Sequence, residues 1–87
     1  MRTDAIAPKL SRLFRLQWEE SQQAYVLLYP EGLVRLNPSA AEILKRCDGS
    51  RALAEIVSQL ETDFQASGLD ADVQAFVAEA LQRGWLV

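Results

Sequence analysis

An α+β domain, three antiparallel strands followed by three helices, is the fold class this sequence predicts. Three observations lead there. Up to Leu36 the apolar residues recur with period two. Beyond Asn37 they recur at intervals of three and four. The four glycines, Gly32, Gly49, Gly68 and Gly84, sit where one run gives way to the next. Strands that come first and helices that come last segregate into two layers rather than alternating along a parallel sheet.

Residues 1–11 hold Thr3, Asp4, Pro8, Lys9 and Ser11 with little pattern. They read as a loose N-terminal segment, and residues 12–87 as a single domain. In the next stretch Phe14, Leu16 and Trp18 share one face, while Leu13, Arg15 and Gln17 share the other, as in a half-buried strand. Glu19-Glu20-Ser21-Gln22 is polar and turn-like. Tyr25 to Tyr29 is apolar on both faces, which suits a central strand or one covered by helices. In Tyr29-Pro30-Glu31-Gly32 proline pre-sets φ and glycine closes the turn. Leu33 to Leu36 follows as a third strand. The charge of Arg35 in so short a run marks an edge, where charge discourages unwanted pairing.

Two caps compete at the first helix. Asn37 can cap with Pro38 at the first helical position, or Ser39 and Glu42 can form a capping box. Ala40, Ile43, Leu44 and Cys47 make its stripe, and Gly49 is read as its left-handed end. Ser50 is placed as the cap of a second helix with Leu53, Ile56, Val57, Leu60 and Phe64 inward, stopped by Gly68. Asp70 is placed as the cap of a third, with Val73, Phe76, Val77, Ala80 and Leu81 inward and Gly84 closing it. Trp85-Leu86-Val87 is an apolar tail expected to pack back on the core. Three short helices beside a small sheet suggest a winged-helix-like arrangement.

Composition excludes several functions. The chain has no histidine and one cysteine, so His-dependent catalysis, a disulfide within the chain and a Cys-cluster metal site are absent. Nothing implies a cofactor. Ser39, Ser50 and Ser58 lack a histidine partner, and a Ser39–Lys45 pair is explained better by capping. Asp70 and Asp72 suit the first turn of a helix, where the macrodipole favours negative charge. Cys47 lies on an apolar stripe and reads as an inert buried thiol. The reading is therefore a binding module and not an enzyme. No run approaches the roughly 20 apolar residues of a membrane span, and no export signal is evident, which points to the cytoplasm.

A winged-helix DNA-binding regulator is the alternative, and charge argues against it. The net charge is −3. Residues 51–67 carry Arg51 against Glu55, Glu61 and Asp63, and residues 70–84 carry Arg83 against Asp70, Asp72 and Glu79. Both helices would repel phosphates.

An edge strand beside a helix is the remaining opportunity, because its open N–H and C=O groups can capture an extended peptide. The expected peptide-binding residues are Leu33, Val34, Arg35 and Leu36 on the third strand and Val73, Phe76, Val77, Ala80 and Arg83 on the third helix. Most of the helical positions should also serve the core. The hairpin after Tyr29 and the loose N-terminus would permit a homodimer by strand exchange.

Leu36-Asn37-Pro38-Ser39-Ala40-Ala41-Glu42-Ile43-Leu44, followed by Cys47-Asp48-Gly49-Ser50, closely resembles the pyrroloquinoline quinone biosynthesis protein D (PqqD) family. Tyr29-Pro30-Glu31-Gly32 and Ala54-Glu55-Ile56-Val57 fit the same pattern, and the likeness runs from about Leu13 to Val87. The resemblance implies a peptide chaperone, or RiPP precursor peptide recognition element. Such a protein binds the ribosomal precursor peptide and presents it to a radical S-adenosylmethionine (SAM) enzyme, which joins a Glu and a Tyr of that peptide. It also implies three strands then three helices, with the peptide docked along the third strand and third helix. The chemistry would belong to the partner enzyme.

Overall fold

The computed structural model describes residues 6–87. Strands β1 (Arg15–Glu19), β2 (Ala24–Tyr29) and β3 (Gly32–Arg35) precede helices α1 (Pro38–Lys45), α2 (Leu53–Asp63) and α3 (Asp70–Gln82). The sheet order is β1-β2-β3 and both pairings are antiparallel. β2 is central, as a strand apolar on both faces requires: Val26 and Leu27 are both fully buried. A 3-10 turn at Glu20–Gln22 links β1 to β2, and Gln23 takes a left-handed φ of 50° at its end.

Register places Leu16 beside Leu27 beside Val34, and Trp18 beside Tyr25. Side chains alternate along a strand, so these residues share the face turned toward the helices. Leu27 belongs to one core cluster with Ala41, Leu44, Leu53, Ile56 and Val77, and Phe14, Leu16, Tyr25 and Val34 pack against that cluster. Leu86, 1% exposed, closes the cluster from the C-terminal tail, as expected of that tail.

The caps are partly different from those the sequence suggests. Asn37 is the cap of α1: its Oδ1 accepts from the Ala40 N–H at 2.8 Å, with Pro38 in the first turn. The Ser39 capping box does not form. α1 ends at Lys45, before Gly49. Ser50 does not cap α2, because its N–H and hydroxyl both donate to Asp48 in a local turn. Ala52 takes the cap position, and Glu55 reaches back to accept from its N–H at 3.0 Å. α2 is closed by Gln65 and not Gly68. Gln65 has φ 50°, and the Ala66 N–H donates to the Glu61 carbonyl, the six-to-one bond of a Schellman end. That end leaves Phe64 exposed rather than inward. Asp70 is the first residue of α3 and not its cap, since Leu69 takes that position and its N–H is satisfied by Glu61 at 3.0 Å.

The N-terminal segment departs most from expectation. Residues 6–11 are held without any partner chain. The Ile6 and Pro8 carbonyls accept from the Leu53 and Gly49 N–H groups, and the Leu10 N–H donates to the Cys47 carbonyl. Lys9 and Val87 exchange two hydrogen bonds at 3.0 and 2.7 Å, and the Ser11 N–H donates to the Trp85 carbonyl at 2.8 Å. Pro8 is fully buried. Main-chain pairing of this kind needs no apolar periodicity, which is why the sequence does not announce it. The rest of the segment called loose, residues 1–5, lies outside the described residues.

Candidate functional site

A residue in a strand sends its N–H and C=O to the same side, and successive residues alternate sides. The Leu36 N–H donates to the Tyr25 carbonyl at 2.9 Å. From that bond and the register, Gly32, Val34 and Leu36 turn their main chain toward β2, while Leu33 and Arg35 turn theirs away. Tyr25, Leu27 and Tyr29 of β2 face β3, so Ala24, Val26 and Leu28 must face β1. This fixes Arg15, Gln17 and Glu19 as the paired residues of β1, and Leu16 and Trp18 as those facing outward. Among the described residues no third chain segment pairs with either edge. The open row on β3 is therefore Leu33 and Arg35 alone, not the whole strand.

α3 stands beyond that row. Val34 from β3, Ala75, Phe76 and Ala80 from α3, Arg83 at the C-cap of α3, and Trp85 from the tail line a groove of about 400 Å³, with Glu79 on its rim. The placement of Trp85 follows from how α3 ends. Gly84 takes φ +81°, its N–H donates to Leu81 and the Trp85 N–H donates to Ala80, a Schellman end that turns the chain back across the helix. Trp85 then lies beside Phe76, ring centroids 6.4 Å apart, while Leu86 enters the core. The pairing of Ser11 with the Trp85 carbonyl pins the tail there, so the described part of the N-terminal segment supports the groove wall.

The expected site residues divide three ways. Val34, Phe76 and Arg83 line the groove, with the buried Ala80 beneath them at its floor. Leu33 and Arg35 form the open edge and are exposed. Leu36, Val73 and Val77 are buried, with Val77 fully so, and their side chains belong to the core, as does that of Ala80 at 1% exposure. Ala75, Glu79 and Trp85 are groove residues that the sequence reading missed. The first two could have been found from Arg83, since positions four apart on a helix share a face. Trp85 also had a signal, because a Schellman end commonly brings the residue after its glycine against the last helical turn.

Electrostatics on the rim are modest. Arg83 donates from Nε to Glu79 and makes an ion pair with it at 3.0 Å, with its guanidinium 5.6 Å from the Trp85 ring centre. Both members of the pair are exposed, so it contributes about 0–1 kcal/mol and can open for an acidic ligand group. Cys47 is buried in the core, its Sγ donates to the Ile43 carbonyl, and desolvation pushes its pKa up to about 11. A neutral buried thiol is a poor nucleophile. Among the described residues no group of three acidic or cysteine side chains is placed to hold a metal ion, and no helix is long and apolar enough to cross a membrane. A larger hollow of about 490 Å³ opens on the other side of Phe76, between α1 and the α2–α3 connection, but it has no open strand beside it.

Comparison with known proteins bears on this arrangement. A model of the family described as coenzyme PQQ synthesis protein D (PqqD) matches residues 24–86. A protein of Methylococcus capsulatus named PqqA binding protein is 51% identical over 78 residues, covering 90% of this chain and 84% of that one. Its namesake from Acinetobacter baylyi is 49% identical over 80 residues, covering 91% and 81%. Among solved structures, the solution NMR structure of the PqqD truncation of Methylobacterium extorquens PqqCD superposes with a TM-score of 0.76 at 29% identity. It covers 100% of this chain and 99% of that one, and is described as a functional, stand-alone RiPP recognition element. The three-strand, three-helix order expected from periodicity is the fold that this neighbour shares.

Proposed function

The chain belongs to the coenzyme PQQ synthesis protein D family, and on that premise we propose that it is a peptide-binding adaptor of pyrroloquinoline quinone assembly. It captures the PqqA precursor peptide by strand addition along β3 and presents it to a radical SAM enzyme in the cytoplasm. It contributes no catalytic group of its own.

The observation that carries this reading is the pair of open residues Leu33 and Arg35 standing beside the groove of Val34, Phe76 and Trp85. An added strand takes its main-chain hydrogen bonds from Leu33 and Arg35, which makes part of the affinity independent of sequence. Its alternate side chains then point into the groove, where apolar surface leaves water, and that contact selects the peptide. Arg35 and Arg83 stand where acidic side chains of the peptide would meet them.

The test is a titration of labelled chain with the PqqA peptide, followed by amide and indole shifts. The proposal expects perturbation at Leu33 to Arg35, Phe76 and the Trp85 indole. Shifts confined to the hollow between α1 and α2, with β3 silent, would refute the docking mode. A pull-down of the radical enzyme, with and without peptide, tests presentation; no capture under either condition would remove that half of the proposal.

A further inference from the structure

We infer that the hollow between α1 and the α2–α3 connection is a second subsite for the same peptide. It seats an apolar side chain, with a basic one beside it, from the flank that runs on past β3. This subsite rests on the strand-addition reading and extends it.

The two cavities are continuous. Phe76 is a wall of both the groove of about 400 Å³ and the hollow of about 490 Å³. Their opposite sides change in step. Val34 faces Ala80 and Arg83 across the groove, while Asn37 and Ala40 face Asp72 and Val73 across the hollow. β3 and α3 thus run in opposite directions along one trough, which passes from Arg83 to Asp72. Asn37 is two residues beyond Arg35, ~7 Å along an extended chain. A peptide paired with Leu33 and Arg35 reaches the hollow with its next two or three residues.

The lining suits an apolar guest. Ile43, Leu60 and Val73 form a buried floor, and Phe64 stands at the mouth, 54% exposed. The left-handed Gln65 that ends α2 puts Phe64 there. The Arg46 guanidinium lies 5.9 Å from its ring centre and is itself bound to Glu42 and Asp63, which holds the ring in place. A ring fixed at the mouth of an apolar hollow leaves water only when a guest covers it.

Charge gives the trough a polarity. Arg83 stands at one end, and Asp72, in the first turn of α3, stands at the other. Glu42 also borders the hollow, but Lys45 and Arg46 already bind it. From Asp72 to Arg83 the helix rises ~16 Å, a span that an extended peptide covers in about five residues. The guest therefore carries an acidic residue near Arg83, and a basic and an apolar residue about five positions away. Two main-chain pairs on β3 do not by themselves fix the direction of the peptide; opposite charges at the two ends do.

Calorimetric titration of the full chain with the full-length PqqA peptide, and with two peptides each trimmed at one end, provides the test. Phe64→Ala should lower affinity for the full-length peptide about fivefold. Asp72→Lys should lower it about fivefold, and Asp72→Asn by less. One of the trimmed peptides, lacking the flank, should bind the parent and these variants alike, which a general loosening of α2 or α3 would not produce. Leu33 and Arg35 should show slowed amide exchange in every complex. Variants that bind the full-length peptide as the parent does, with Leu33 and Arg35 still slowed, would overturn the subsite and leave strand addition standing. Undiminished losses with both trimmed peptides would also overturn it. Fast exchange at Leu33 and Arg35 in the saturated parent would overturn both.

Discussion

β1 and β3 flank the same central strand, and each turns the main chain of two residues away from it: Leu16 and Trp18 on one side, Leu33 and Arg35 on the other. Their backbones offer the same chemistry. Their surroundings differ. Beyond β3 stands α3 with Phe76 and Trp85, so a strand arriving there meets a wall as well as an edge. At the other edge Trp18 packs edge-on against Tyr25, at 5.3 Å between ring centres, and Tyr25 is itself covered by the Lys45 ammonium at 4.4 Å. The lesson is that an open edge alone does not specify a guest. The element beside it selects the side chains that can be accommodated.

The largest expected effect separates neighbouring residues of β3. Val34→Pro removes a main-chain bond to β2 and leaves its partner carbonyl unpaired, which should destabilise the fold by about 1–3 kcal/mol, read as a lower urea midpoint. Arg35→Pro removes only an outward donor, a position at which edge strands tolerate proline. Its fold should persist with a cost below about 1 kcal/mol, while peptide affinity falls at least tenfold. Equal stability losses in the two variants would break the assignment of paired and open residues.

A second contrast lies on α3. Val77 is fully buried and Phe76 only partly so. Val77→Ala should cost about 2 kcal/mol in thermal unfolding through lost burial and a residual cavity. Phe76→Ala should cost less stability but lower peptide affinity about tenfold in calorimetry. On the β1 edge, Arg15→Glu should leave peptide affinity within about twofold of the parent. A larger change would mean that the two edges are coupled.

The smallest effect concerns α1, which supports the Tyr25 end of the sheet. Glu42 accepts from Arg46 and Lys45, each at 3.0 Å, and those bonds hold its carboxyl below the usual carboxylate range. Arg46 continues to Asp63 at 2.8 Å and so ties α1 to α2. A depressed folded-state pKa gives stability that is present above the unfolded value and is lost as pH falls through the folded one. Glu42→Gln should therefore cost under about 1 kcal/mol at neutral pH, a small figure because the group is partly exposed. The difference from the parent should vanish in acid; a cost that persists there would point to packing instead.

Much of the fold was legible because periodicity is a side-chain signal. Period two in Phe14, Leu16 and Trp18, and the three-and-four spacing of Leu53, Ile56, Val57 and Leu60, follow from which side chains face the core. What could not be read is carried by main chain. The docking of residues 6–11 through carbonyls of Ile6 and Pro8, and the left-handed Gln65 where Gly68 was expected, leave no trace in hydropathy. The site was legible to the same extent. Edge and helix were identified, but a helix with both a core face and a groove face has residues of similar hydropathy on each. Only coordinates separate Val73 and Val77 from Phe76, and only the turn at Gly84 brings Trp85 to the groove.

The most direct measurement is amide hydrogen exchange of the dilute chain with and without saturating PqqA peptide, read at Leu33 and Arg35 with Leu16 and Trp18 as internal controls. Strand addition predicts strong slowing at Leu33 and Arg35 and unchanged exchange on β1. Tight peptide binding that leaves both β3 amides exchanging as fast as in the free chain would contradict it.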